Sequence, residues 1–197
     1  MKITINGSPV EVSENKTVLE VARDAGVFVP TLCNLPEIEN RGYCRLCTVE
    51  INGKFLPACS IKAEEGMIVT TDSEEIQNIR KAILEMIFKD HFTNCPECIK
   101  CDTCELQKCA TKFNLKLTDI YSLHHSEKIT EIVHGVNYDA RKCILCMRCV
   151  NFLNKKYGKK ILEFRDGRIQ NNEQCSDADI VDICPTGALF LTVEEGR

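Results

Sequence analysis

The stretch Gly42-Tyr43-Cys44-Arg45-Leu46-Cys47-Thr48-Val49-Glu50-Ile51-Asn52-Gly53 sets a close cysteine pair against the start of a hairpin. Two residues between cysteines bring both sulfurs within reach of one metal centre, a spacing used by zinc and by iron–sulfur sites. Asn-Gly after an alternating run is a strong two-residue turn signal. The chain should therefore return along Lys54 to Ala58, ending at Cys59. Upstream, Cys33 lies between Pro30 and Pro36, which completes a C-x10-C-x2-C-x11-C pattern carried on loops. Gly42 permits a tight loop around that group. Ile3, Ile5, Val10 and Val12 alternate around Asn6-Gly7, a second hairpin. Thr17-Val18-Leu19-Glu20 reads as a capping box. Val18, Leu19, Ala22 and Ala25 supply one helix face, and Gly26 suits the position past its end. Met67-Ile68-Val69-Thr70 closes the plan as a strand. Residues 1–71 thus read as a small mixed sheet gripping one helix.

The chain has 197 residues, of which 14 are cysteine. Apolar residues at 44% and charged residues at 27% make a globular balance and exclude a disordered chain. A formal net charge of −4 gives no nucleic-acid footprint. No apolar run approaches the ~20 residues that a membrane span requires. The first residues, Met1-Lys2-Ile3-Thr4-Ile5-Asn6-Gly7, carry no apolar leader core, which points to a cytoplasmic protein. Disulfides are rare there, so the cysteines read as metal ligands.

A second group occupies residues 72–115. Thr71-Asp72-Ser73-Glu74 reads as another capping box, and Ile76, Ile79, Ile83, Met86 and Ile87 recur at helical spacing over about 73–90. His91, Cys95, Cys98, Cys101, Cys104 and Cys109 follow. Two ligand sets fit: Cys95, Cys98, Cys101 and Cys104, or His91, Cys95, Cys98 and Cys104. In the second set a neutral imidazole replaces a thiolate, which raises the potential of a cluster. Cys109, and Cys101 in the second set, are then spare.

The third group lies in residues 116–197. Cys143, Cys146 and Cys149 give C-x2-C-x2-C. A two-cluster bacterial ferredoxin places its next cysteine four residues on, where this chain has Leu153. The fourth ligand is instead the remote Cys184, followed by Pro185. A second cluster would need thiols at Gln174, Asp177 and Ile180, so only one is expected, and Cys175 is out of register. Asp166-Gly167 marks a hairpin turn. Lys155, Lys156, Lys159 and Lys160 form either a solvated face or a docking patch for an acidic ferredoxin or a neighbouring subunit. His124, His125 and His134 read as surface residues.

Gly42-Tyr43-Cys44-Arg45-Leu46-Cys47 with Ala58-Cys59-Ser60 resembles the 2Fe–2S pattern of plant-type ferredoxins, but with a longer first gap. That gap is similar to the N-terminal module of iron-only hydrogenases and of the large iron–sulfur subunit of complex I. The H-x3-C-x2-C-x5-C run ending in Cys104-Glu105-Leu106-Gln107 resembles the one-His, three-Cys 4Fe–4S segment of the same families, which favours the His91 set. Ala178 to Leu189 is similar to the complex I segment that keeps a single cluster. The small diaphorase subunit of NAD-linked hydrogenases is a further likeness.

The resemblance implies an α+β chain with three parts: a β-grasp 2Fe–2S domain, a helical one-His, three-Cys 4Fe–4S segment, and a ferredoxin-like single-cluster 4Fe–4S domain. It implies one 2Fe–2S centre on Cys33, Cys44, Cys47 and Cys59. It implies two 4Fe–4S centres, one on His91, Cys95, Cys98 and Cys104, the other on Cys143, Cys146, Cys149 and Cys184. Its partners would be a flavin- and NAD(P)-binding subunit and a catalytic oxidoreductase subunit, with ferredoxin a further candidate. The sequence holds no G-x-G-x-x-G or phosphate loop, so neither NAD nor flavin is expected on this chain, and no nucleophile constellation marks a catalytic site. The competing readings are a stand-alone multi-cluster carrier and a zinc-binding interaction module.

Overall fold

The computed structural model describes residues 1–36, 38, 42–116 and 129–192. Its contacts divide the chain into two compact units: Met1–Asn34 with Asn40–Glu85, and Leu35–Glu39 with Met86–Arg197. His124 and His125 lie outside the described residues.

In the first unit, β1 (Lys2–Ile5) and β2 (Ser8–Glu11) form the expected hairpin, with Ile3 opposite Val10. Its turn residues Asn6 and Gly7 both take positive φ, 49° and 81°, as a type I′ turn demands. Helix α1 (Val18–Asp24) opens on the full capping box, with Glu20 N donating to Thr17 Oγ1 and Thr17 N donating to the Glu20 carboxylate. Val18, Leu19, Val21 and Ala22 are its buried residues. Ala25, expected on that face, is exposed, because the helix ends there and Gly26 turns the chain away with φ 72°. β3 (Thr48–Ile51) and β4 (Lys54–Pro57) pair across Asn52-Gly53, and β5 (Ile68–Thr70) lies parallel to β1 and antiparallel to β3. The resulting five-stranded mixed sheet, in order β2-β1-β5-β3-β4, buries Ile3, Ile5, Val49, Ile51 and Val69 with Val18, Leu19 and Ala22 of α1.

Helix α2 (Glu74–Asp90) starts one residue later than expected, and its cap is Ser73, whose Oγ accepts from Ile76 N at 3.3 Å. Thr71 is occupied elsewhere: its hydroxyl accepts from Asn6 Nδ2 and its N–H donates to Asn6 Oδ1, both at 2.8 Å. The buried stripe of α2 is Ile76, Arg80, Leu84 and Phe88, spaced by four, and Met86 is 58% exposed rather than inward.

The second unit contains α3 (Glu105–Lys112), β6 (Thr130–Val133), β7 (Val136–Tyr138), α4 (Arg148–Tyr157), β8 (Leu162–Arg165), β9 (Arg168–Asn171), α5 (Ile180–Ile183) and β10 (Leu189–Leu191). The sheet order is β10-β7-β6, and β8 pairs with β9 across Asp166-Gly167 as the turn signal requires. Ile132, Val136, Leu153, Ile161, Leu162, Ile169, Ile180 and Leu189 form the core beneath the third cysteine group.

Candidate metal centres

Cys33, Cys44, Cys47 and Cys59 come together within the first unit, and all are at least nine-tenths buried. Their thiols hydrogen-bond in a chain running Cys44–Cys33–Cys59–Cys47. The hydrogen bond from Cys33, opposed by burial, holds the Cys44 thiol down at about 6. Cys59 is likewise lowered by hydrogen bonds from Cys33 and Cys47. Cys33 and Cys47 are pushed up as the donors of those bonds, with burial adding to the shift. Amides stabilise the same negative charge, since Leu32 N donates to Cys44 Sγ at 3.4 Å. Arg45 takes φ 58°, a strained conformation for a side-chain-bearing residue, and this turns Leu46 N toward the Cys44 sulfur. Four buried thiols that share protons and face inward amides form a donor set suited to a cationic iron core.

The spacing gave no sign of Arg80. Its guanidinium is 2% exposed and donates to the Thr48 carbonyl at 2.9 Å. Burial lowers its pKa, and the charges of Asp72 and Cys47 oppose that shift. A fixed positive charge beside the first cysteine set favours an added electron there. The missed signal is a charged residue at a position of the apolar i, i+4 stripe.

In the second group, consecutive tight turns gather the cysteines. Cys98 N donates to Cys95 O at 3.1 Å, Cys101 N to Cys98 O at 2.9 Å, and Cys104 N to Lys100 O at 2.8 Å. Burial, then the charges of Cys98 and Cys101, raise the Cys95 thiol, and Cys104 in turn feels Cys98 and Cys95. His91 is 5% exposed and stands edge-on to Phe88, with ring centroids 6.0 Å apart. Burial, and then the Lys142 charge, hold its pKa at about 4, so the imidazole is neutral at ordinary pH and competent as a ligand. The Lys142 and Asp139 charges both act on it. Cys109 lies on α3.

The third group lines a small pocket formed by Cys143, Cys146, Cys149 and Cys184 together with Tyr138 and Ile169. Leu145 and Met147 both adopt left-handed φ, 51° and 61°. Leu145 N then points to Cys143 Sγ at 3.4 Å, and Arg148 N to Cys146. Such inward amides form a nest suited to an anion such as a thiolate-ligated cluster. Burial pushes the Cys146 and Cys149 thiols far up, so only a bound cation would keep them as thiolates. The residues fit a cluster, whose sulfur donors spread over several iron atoms.

Tyr138 is 3% exposed, and its phenol oxygen accepts from Ile169 N at 3.5 Å while hydrogen-bonding Cys143. Tyr138→Phe should leave the iron content unchanged and lower the third centre's potential. Loss of one hydrogen bond worth about 1 kcal/mol corresponds to roughly 40 mV for a one-electron couple. A redox titration followed by EPR measures it.

The remaining residues answer the other expectations. Cys175 is half-buried, and its electrostatic neighbours are Asp177, Lys159 and Lys156. Lys156 pairs with Asp177 at 2.7 Å and Asp179 at 3.1 Å, and Lys159 pairs with Glu173, so much of the basic cluster is matched within the chain. His134 is exposed beside Glu131. No helix among the described residues is long and apolar enough to cross a membrane.

Comparison with known proteins decides the family. Residues 1–74 match a 2Fe-2S iron-sulfur cluster binding domain, and residues 80–118 match the NADH-ubiquinone oxidoreductase-G iron-sulfur binding region. The NAD-reducing hydrogenase HoxS subunit gamma of Cupriavidus necator is 31% identical over 96% of this chain and 86% of its own length. The chain belongs to the family of this gamma subunit. A crystal structure of an NAD+-reducing [NiFe]-hydrogenase in the H2-reduced state contains a chain of the same fold. It superposes with a TM-score of 0.87 at 30% identity, covering 98% of this chain and 88% of that one. The NADPH-Fe(3+) oxidoreductase subunit alpha of Geobacter sulfurreducens is 31% identical. The mitochondrial NADH-ubiquinone oxidoreductase 78 kDa subunit of Candida albicans is 28% identical. This chain spans only 24% and 28% of those two longer relatives. The gamma-subunit family is thus one of iron–sulfur electron-transfer subunits, built on 2Fe–2S and 4Fe–4S domains in a mixed α/β chain.

Proposed function

We propose that this chain is a three-centre wire between a flavin- and NAD(P)-binding subunit and a catalytic oxidoreductase subunit. Cys33, Cys44, Cys47 and Cys59 hold one 2Fe–2S centre in the β-grasp domain. His91, Cys95, Cys98 and Cys104 hold one 4Fe–4S centre, and Cys143, Cys146, Cys149 and Cys184 hold another. Such centres take up and release one electron at a time, which is the chemistry required beside a two-electron flavin. The protein's own work is to exclude water, to aim amides at the sulfurs and to fix the sites in sequence. Four thiols lining one cavity beneath inward-turned amides carry this reading. The domains follow the ligands: 1–71, 72–115 and 116–197.

Anaerobic purification of the native protein should yield about ten irons and ten acid-labile sulfides per chain. A flavoprotein should co-purify. A colourless, zinc-containing protein would overturn the reading, and a brown monomer without partners would favour a stand-alone carrier.

A further inference from the structure

Arg148 is charged and 6% exposed, one residue before Cys149, and lines the same site as Cys143, Cys146 and Cys184. Its Nη1 and Nη2 meet the two Glu105 carboxylate oxygens at 2.6 and 2.7 Å, a bidentate pair. Its Nη1 also donates to the Ile183 carbonyl at 3.3 Å. Glu105 directly follows Cys104, and its own N–H donates to the Pro185 carbonyl at 3.0 Å. Ile183 and Pro185 flank Cys184 on either side. One ion pair therefore binds the segments carrying Cys104, Cys149 and Cys184. We propose that Glu105 and Arg148 are positioning residues that fix the separation of the two 4Fe–4S centres and so set electron exchange between them.

The inference rests on the ligand assignment above, but the pair itself ligates nothing. Geometry is what makes it more than a stabilising contact. Arg–carboxylate forks constrain angle as well as distance. Removing Glu105 alone leaves the buried Arg148 guanidinium without its carboxylate, whereas removing both partners leaves no buried charge. The second arrangement separates positioning from stability.

The test uses the full chain, reconstituted anaerobically with iron and sulfide, in wild-type form and as Glu105→Gln and the double variant Glu105→Met/Arg148→Met. Fully reduced wild type should show two cubane EPR signals split by their mutual spin coupling. In both variants that splitting should shrink or become heterogeneous while the 2Fe–2S signal stays unchanged. Loss of one cubane alone, with the 2Fe–2S signal intact, would also support a clamp on ligand segments. Native splitting in both variants would overturn the clamp alone. A wild-type chain that yields a single cubane signal would overturn the ligand assignment and the clamp with it.

Discussion

Gly187→Ala is expected to remove about four irons, those of the second centre, while leaving the 2Fe–2S EPR signal at full intensity. A methyl group at residue 187 would lie 2.4 Å from Cys98 Sγ, 3.5 Å from Ile99 Cγ2 and 3.8 Å from Lys100 N. The first distance is more than 1 Å inside ordinary contact, and real Cβ atoms do not approach so closely. Gly187 is absent from the positive-φ glycines, so its requirement is for space. The Cys98 sulfur must move, and Cys98 is a proposed ligand of the second centre. Retreat of the Cys184–Ala188 loop is restrained by its anchors. Thr186 Oγ1 donates to Lys142 O at 2.8 Å, and Asp139 N donates to Ala188 O at 2.8 Å. Overpacking of this kind costs about 1–3 kcal/mol. Within a 197-residue chain the fold survives that loss, but ligand geometry does not. Iron analysis with EPR checks the outcome, and a variant with the wild-type iron content and both cubane signals would refute it.

The same position shows where local sequence reading stops. The Asn6-Gly7, Asn52-Gly53 and Asp166-Gly167 turns and the Thr17–Glu20 cap were legible because neighbouring residues alone settle them. The start of α2 differs from its local signal because Thr71 is claimed by Asn6, 65 positions away. Its buried stripe was half-legible: apolar spacing found Ile76, but Arg80 occupies a core position and Met86 faces solvent. The cysteine groups could be read from spacing. The left-handed residues that aim amides at them could not, because Arg, Leu and Met have no preference for positive φ. For Lys156 and Lys159 the sequence leaves a solvated face or a docking patch open, since Asp177, Asp179 and Glu173 lie on segments that only the fold brings near. Gly187 falls in the same class, its partner lying 89 positions earlier.

His91→Cys is expected to keep the second centre and lower its potential, whereas His91→Ala should lose that centre or rebuild it on Cys101. The difference is electrostatic. Neutral imidazole contributes no charge to the ligand set, and a thiolate adds one negative charge that disfavours the next electron. His91 is held neutral by its burial and by Lys142, with a pKa near 4, so the wild-type contrast persists across ordinary pH. Cys101 is the competitor, because Cys98 and Cys101 are joined by a turn and Cys101 acts on Cys95. Asp102 after it takes φ 64°, the left-handed bend that also follows Cys44 and Cys146. Comparing His91→Ala with His91→Ala/Cys101→Ala resolves the choice. If His91 ligates, the single variant shows a lowered second potential or about four fewer irons, and the double variant shows the iron loss in either case. If Cys101 ligates instead, Cys101→Ala alone removes the second centre. In that case His91→Cys leaves its potential unchanged, because the imidazole then serves only as an edge-on partner of Phe88 beside Lys142.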